Sequence, residues 1–166
     1  MAGGETTPFS NRNPLRRRLR RAENRGQKSD VGRQRTDKLN MQINSAKELE
    51  VYKLAYELAM KLFEISKRFP TEERWALTGQ IRRSSRSVCM NLREAWAKRR
   101  YEAHFVSKLT DCDGESNETD TSLDFVRGCG YISETEHKEL TERNRSIGRM
   151  LGSMIKNPRP FLISDL

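Results

Sequence analysis

Apolar residues recur at every third or fourth position along four stretches of the chain, which is the period of an amphipathic α-helix. The first helix is expected to begin near Lys47 and to end at Phe69-Pro70, because the residue before a proline is steered out of the helical conformation. Its apolar positions are Val51, Leu54, Leu58, Leu62, Ile65 and Phe69. This spacing predicts a helix with one face in a core.

The second stretch begins near Glu72, where Thr71 reads as a helix N-cap and Glu72 and Glu73 place negative charge in the first turn. One face of this helix can pack against a core, and it comprises Ile81, Ser85, Val88, Leu92 and Ala95. No glycine or proline marks the end of the helix. We therefore expect the break before the next helix at about residues 98–101.

A third helix, over about residues 102–127, has a seam with alternating four- and three-residue spacing. The seam consists of Phe105, Leu109, Cys112, Ser116, Thr119, Leu123 and Val126. Small and polar residues in its middle imply that a neighbouring backbone approaches closely.

A glycine stop at Gly128-Cys129-Gly130 ends the third helix, and Ser133 with Glu136 forms a capping box that begins a fourth. The fourth helix packs through Leu140, Ile147, Leu151 and Met154 and ends at Pro158 and Pro160. Four amphipathic helices with short connections predict an all-α, up-down-up-down four-helix bundle over residues 46–158. A disordered, arginine-rich tail over residues 1–45 precedes the bundle, and a short C-terminal tail over residues 159–166 follows it.

The net charge of +9 is unevenly distributed along the 166 residues. Residues 1–45 carry about +7 and residues 82–100 about +6, whereas residues 101–166 carry about −4. On a helical wheel Arg82, Arg86, Arg93 and Arg100 form one stripe, about 27 Å long. The third helix is the complement of this stripe, because it has no base between Asp111 and Asp124.

The N-terminal tail has few large apolar residues and cannot offset the entropy of ordering itself. One interpretation is a basic arm that binds nucleic-acid phosphates through Arg16, Arg17, Arg18, Arg20 and Arg21. The other is a solvated tail, or an upstream extension with Met41 as an internal start. Both interpretations stay open.

Catalytic patterns are not found. Three cysteines without metal-ligand spacing, Cys89, Cys112 and Cys129, suggest buried thiols, and two histidines make a metal or acid–base site improbable. We expect no enzymatic activity, no cofactor and no metal. The apolar runs are too short to span a bilayer and the N-terminus lacks a secretory signal, so we expect a cytoplasmic protein with no membrane contact.

Several motifs together resemble a bacterial four-helix-bundle family. They are Leu49-Glu50-Val51-Tyr52-Lys53, Phe69-Pro70, Leu77-Thr78-Gly79-Gln80-Ile81-Arg82-Arg83-Ser84, Asn91-Leu92-Arg93-Glu94-Ala95 and Gly130-Tyr131-Ile132. The family includes proteins encoded in intervening sequences of ribosomal RNA genes, and it is similar to accessory variability proteins of diversity-generating retroelements. The resemblance covers about residues 46–156. It implies a homopentamer with a basic surface that, in the retroelement members, engages RNA and a reverse transcriptase.

Two functions from different classes use the same charged residues. In a non-enzymatic RNA-binding adaptor, possible phosphate ligands in the bundle are Arg82, Arg83, Arg86, Arg93, Arg99 and Arg100. In a structural or protein-interaction oligomer, these arginines instead pair with Asp111, Glu115 and Glu118, within a protomer or across an interface. We do not expect base stacking, because Trp75 and Trp96 have spacings suited to the edges of a core.

Overall fold

The computed structural model describes residues 43–163, which contain four α-helices and no β-strand. The helices are α1 (Glu50–Ile65), α2 (Leu77–Lys98), α3 (Glu102–Gly128) and α4 (Glu134–Lys156). Short 3-10 turns flank them at Ala46–Glu48, Ser66–Arg68, Thr71–Arg74 and Arg159–Phe161. Residues 1–42 of the predicted tail, with its five candidate arginines, lie outside the described residues.

Contacts between neighbouring helices run in antiparallel order. Along α2 and α3, Gln80 bonds to Glu118, the Val88 carbonyl to Cys112 and Glu94 to Lys108, so sequence numbers rise on one helix as they fall on the other. Two contacts between each of the other neighbouring helices show the same order, namely Phe63–Arg86 with Ser66–Arg82, Ser116–Asn144 with Asp124–His137, and Lys61–Glu139 with Arg68–Glu136. The predicted all-α, up-down-up-down bundle is confirmed.

The core is built from the faces that the sequence spacing predicts. Each seam residue of α3 is buried, as are the five residues predicted for the packing face of α2. On α4 the buried positions include Leu140, Ile147, Leu151 and Met154. None of the helices in the part of the chain that the structure describes is long and apolar enough to cross a membrane.

A layer of hydroxyl and amide groups runs through the middle of the core. The Thr119 hydroxyl lies 2.9 Å from that of Ser84 on α2. Ser116 donates to Asn144 Oδ1 at 3.1 Å, and the Asn144 amide donates back to the Ser116 carbonyl at 2.9 Å. The Cys112 thiol reaches the Val88 carbonyl at 3.7 Å, so α3 does approach the α2 backbone closely, as its small residues predicted. These bonds fix the register of three helices.

The start of α2 is five residues later than predicted. Thr71 does not cap a helix, because residues Thr71–Arg74 form a separate 3-10 turn and Ala76 (ψ −112°) interrupts the helical backbone. The carboxylate of Glu73 accepts a hydrogen bond from the Leu77 N–H at 3.2 Å. Glu73 was predicted to lie in the first turn of the helix. It lies before the helix instead, and its carboxylate binds a backbone amide that has no partner within the helix.

The other ends of α2, α3 and α4 follow the sequence signals, whereas α1 is shorter than the predicted 47–69, because 3-10 turns replace its first and last turns. The break between α2 and α3 falls at Arg99–Arg100, and Ser133 with Glu136 forms the predicted capping box. Gly130 has a φ of +74°, which glycine adopts without a steric penalty, and the Tyr131 N–H bonds to the Val126 carbonyl at 3.0 Å. At the C-terminal end, the ring of Phe161 packs 6.2 Å from that of Phe105.

We expect Leu62→Ala to lower the free energy of unfolding by about 2–5 kcal/mol, because Leu62 is 1% exposed and truncation leaves a cavity. Met60→Ala on the same helix is the matched control, since Met60 is 41% exposed. The control should cost less than about 1 kcal/mol. Urea unfolding measures both values, and equal losses would contradict the assigned face of α1.

The capping box makes stability depend on acidity. The Ser133 N–H, followed by Arg68, lowers the pKa of Glu136 from its usual 4.5 to about 2. Because the folded-state pKa is lowered, the stabilisation is present above the usual pKa and is lost as the pH falls toward 2. Between pH 7 and about pH 2, the free energy of unfolding should fall less for Glu136→Gln than for the unmodified chain. Glu134→Gln, in the same turn, is the matched control. If the free energy of unfolding of Glu136→Gln fell as much as that of the unmodified chain, the Glu136 carboxylate would not be the source of the pH dependence.

Candidate nucleic-acid interface

The arginine surface of α2 lies on the side of the helix that the core leaves free. We define it by the six candidate residues of the bundle, Arg82, Arg83, Arg86, Arg93, Arg99 and Arg100. Four of the six are exposed, and Arg82 and Arg99 are half-buried. The segregation follows from the sequence, because small and apolar residues at helical spacing bury the opposite face.

Two of these arginines are held in place by a ring of α1. The guanidinium carbons of Arg82 and Arg86 lie 5.0 and 5.4 Å from the centre of the Phe63 ring. Arg82 also donates from Nε to the Ser66 hydroxyl at 2.7 Å. Cation–π contact and this hydrogen bond orient the groups without neutralising their charge.

None of the basic side chains of residues 82–100 forms a salt bridge with a described residue. Bases on the other three helices do form them, for example Lys61 with Glu139 and Arg143 with Glu139. The only salt bridge joining α2 to α3 within residues 43–163 has the opposite polarity, since Lys108 of α3 binds Glu94 of α2 at 2.8 Å. This contact lowers the pKa of Glu94. Pairing of the arginines with the acids of α3 inside one protomer is therefore not found.

The three acids predicted to pair with the arginines contact other groups instead or form no salt bridge with a described residue. Asp111 binds Lys108 at 3.0 Å, and Glu118 accepts a hydrogen bond from Gln80. Burial, together with repulsion from Glu118, raises the pKa of the half-buried Glu115, while the charge of Arg83 opposes that rise. Arg83 thus acts on Glu115 at long range and donates instead to Gln80 at 2.7 Å.

The structure brings only part of the predicted arginine set together. Arg82, Arg83 and Arg86 line one groove of about 510 Å³, which Arg93 and Arg100 do not border. Arg99 turns toward its own helix, where it covers the Trp96 ring at 4.1 Å and donates to the Trp96 carbonyl at 2.6 Å. The groove end of α2 therefore concentrates the positive charge that is open to a ligand.

Sequence reasoning missed two residues of this groove, Arg74 and Trp75. Trp75 is 89% exposed, which corrects its assignment to a core edge, whereas Trp96 does pack against the core. The indole stays outside because it belongs to the segment before α2 and not to a buried helical face. A helix that began at Glu72, as predicted, would have put Trp75 two turns before Arg82 and on the arginine side, so the sequence held this signal even though Ala76 interrupts the helix.

A second groove, of about 610 Å³, lies on the other side of Trp75. Its lining includes Phe125, which is 61% exposed, and the carboxylates of Glu73 and Glu118. The two grooves share the indole but differ in charge, because within residues 43–163 acids border this groove and not the first.

The thiols offer no reactive group in the core. Burial raises the pKa of Cys89 to about 11 and that of Cys112 to about 12, which keeps both protonated. Cys129 is exposed, contrary to the expectation of a buried thiol, because it lies in the turn after α3. Within residues 43–163, no three metal-ligating side chains are placed to hold an ion.

A solved structure is similar in fold to part of this chain. It is a protein of unknown function from the S23 ribosomal protein family of Bacteroides thetaiotaomicron, with 28% sequence identity and a TM-score of 0.59. The match covers 64% of this chain and 96% of that one. No curated protein matches.

The model of one protein family matches residues 47–153, which is more than half of the chain. Its description is 23S rRNA-intervening sequence protein, the family whose motifs the sequence resembled. The matched range begins just before α1 and ends within α4, so it contains the arginine surface. The chain belongs to the family of 23S rRNA-intervening sequence proteins.

Proposed function

We propose that this protein is a non-enzymatic adaptor that binds RNA through the arginine surface of α2. The observation that carries the proposal is the absence of salt bridges, within the described bundle, for every base of residues 82–100. Structural arginines are normally neutralised by carboxylates, as Arg143 and Arg149 of α4 are here. Uncompensated, oriented guanidinium groups are suited to phosphates instead.

The orientation of the groups strengthens the proposal. Phe63 and Ser66 hold Arg82, and Phe63 also holds Arg86, so these long side chains have already lost much of their rotamer freedom. Less entropy is then lost when a phosphate binds. The resemblance to retroelement accessory proteins suggests a reverse transcriptase as a further partner of the same surface.

A second candidate function is self-association through the groove between Trp75 and Phe125. Exposed aromatic side chains of this size are typical of protein interfaces. Glu118 lines the groove and Glu115 lies one turn away, so a second copy could place its arginine surface against these acids. Under this second candidate function the protein is a homo-oligomer, and the family resemblance implies a pentamer.

RNA binding by the arginine surface predicts a dependence on salt. For Arg82→Gln with Arg86→Gln, we expect the slope of log affinity against log salt for a structured RNA to flatten by about one to two units. Arg143→Gln with Arg149→Gln removes two guanidinium groups that α4 carboxylates already hold, and it should change the slope little. Fluorescence anisotropy titrations measure the slopes, and thermal melts test folding. A lower melting temperature with an unchanged slope would assign Arg82 and Arg86 a structural role.

The same titrations with a chain that begins at Met41 separate the arginine surface from the N-terminal arginines. We expect this shorter chain to bind RNA more weakly than the full chain, because residues 1–40 carry eleven lysines and arginines that can add phosphate contacts. A folded shorter chain that binds no RNA at low salt would exclude the bundle as the RNA-binding site.

Self-association predicts a mass several times 19.3 kDa in light scattering. Glu115→Arg with Glu118→Arg should lower that mass, because like charges then meet across the interface. Glu57→Arg with Glu102→Arg, which reverses two exposed acids away from the groove, is the matched control. A monomer at micromolar concentration would rule out the oligomer.

A further inference from the structure

Trp75 is presented to solvent by a fixed backbone. Glu73 accepts hydrogen bonds from the Leu77 N–H at 3.2 Å and from the Tyr131 hydroxyl at 3.3 Å, which ties the segment before α2 to the turn after α3. Gly79 allows the Arg74 carbonyl to approach so closely that a Cβ at this glycine would lie 3.3 Å from it. The exposed indole therefore extends from a well-anchored turn.

The groove beside this indole combines positive charge with apolar surface. Arg82, Arg83 and Arg86 line it, Trp75 borders it, and the 65% exposed Met90 adds a second apolar side chain. Among the residues that the structure describes, no acid lines this groove. Guanidinium groups that follow a phosphate backbone, next to an aromatic ring that can stack on a base, are typical of sites for single-stranded nucleic acid.

Duplex RNA cannot use such a ring along its length. Its bases are stacked inside the helix, and only unpaired bases in loops, bulges and ends expose a face to a protein side chain. Phosphate contacts alone do not distinguish single from double strands in this way, so the indole adds a selectivity that the arginines lack.

We propose that this groove binds unpaired nucleotides of an RNA, with one base stacked on Trp75 and the neighbouring phosphates on Arg82, Arg83 and Arg86. The inference rests on the proposed RNA-binding function and deepens it by naming the RNA structure that the site selects. The guanidinium group of Arg74, which also lines the groove, lies 5.4 Å from the Trp75 ring centre in cation–π contact.

The test compares an oligouridine of about 12 nucleotides with a blunt duplex of equal length, both titrated with the full chain. Trp75→Ala should weaken oligouridine binding roughly 5- to 150-fold and leave duplex binding nearly unchanged. Trp75→Phe should restore most of the loss, because a ring that can stack is present again. The salt slope should not change, since no charge is removed.

Phe125→Ala is the matched control, because Phe125 is the exposed aromatic residue of the neighbouring acidic groove. It should not weaken the binding of either RNA. A Trp96→Phe background makes Trp75 the only tryptophan, and its fluorescence should fall when oligouridine binds but not when the duplex binds.

Equal losses for both RNAs in Trp75→Ala, or no loss for either, would overturn the stacking site and leave the proposed RNA-binding function intact. Unchanged RNA binding in Arg82→Gln with Arg86→Gln would reject that function and the stacking site with it. A drop in oligomer mass with both Trp75→Ala and Phe125→Ala, without selective loss of oligouridine binding, would assign the indole to a protein contact instead.

Discussion

Helices α2 and α3 meet through small side chains, and this close approach determines where the charges of both helices can point. Ser84 meets Thr119, and the Cys112 thiol reaches the Val88 carbonyl. Space of this size admits hydroxyls and a thiol but no guanidinium group. Long side chains cross between the two helices at the edges of this contact, where Gln80 meets Glu118 and Glu94 meets Lys108, and within the described residues the bases of α2 form no salt bridge with the acids of α3. The positive surface follows from the packing.

Cation–π contact explains how two of these arginines are ordered without a carboxylate partner. Phe63 belongs to α1, so the position of Arg82 and Arg86 depends on the packing of α1 against α2 as well as on α2 itself. A carboxylate in place of the ring would hold the same groups and neutralise them. The aromatic ring leaves their N–H donors available, which is the property that a phosphate-binding surface needs.

Periodicity in the sequence predicted the helices and their buried faces because burial repeats over many turns, and the α3 seam from Phe105 to Val126 is the clearest case. The capping box of Ser133 and Glu136 was predictable because it is a local hydrogen-bond pattern. The start of α2 was not, since Thr71 and the acids after it suit a 3-10 turn as well as a helix. That five-residue difference also left Trp75 misplaced. The arginine surface was predicted by spacing, but its lack of salt bridges depends on distances between helices that spacing does not determine.

Trp75 borders both grooves, so RNA binding in one groove and self-association through the other affect each other. Phosphates are repelled by Glu73 and Glu118, so an RNA that reaches the indole must lie on the side of Arg82 and Arg86. A second protein copy that covers Phe125 approaches the same indole from the acidic side. If one ligand covers the ring, the other loses that contact, and by linkage each must weaken the binding of the other by the same factor. RNA with unpaired bases would then disfavour an interface built on Trp75, whereas duplex RNA, which does not need the indole, would leave that interface in place.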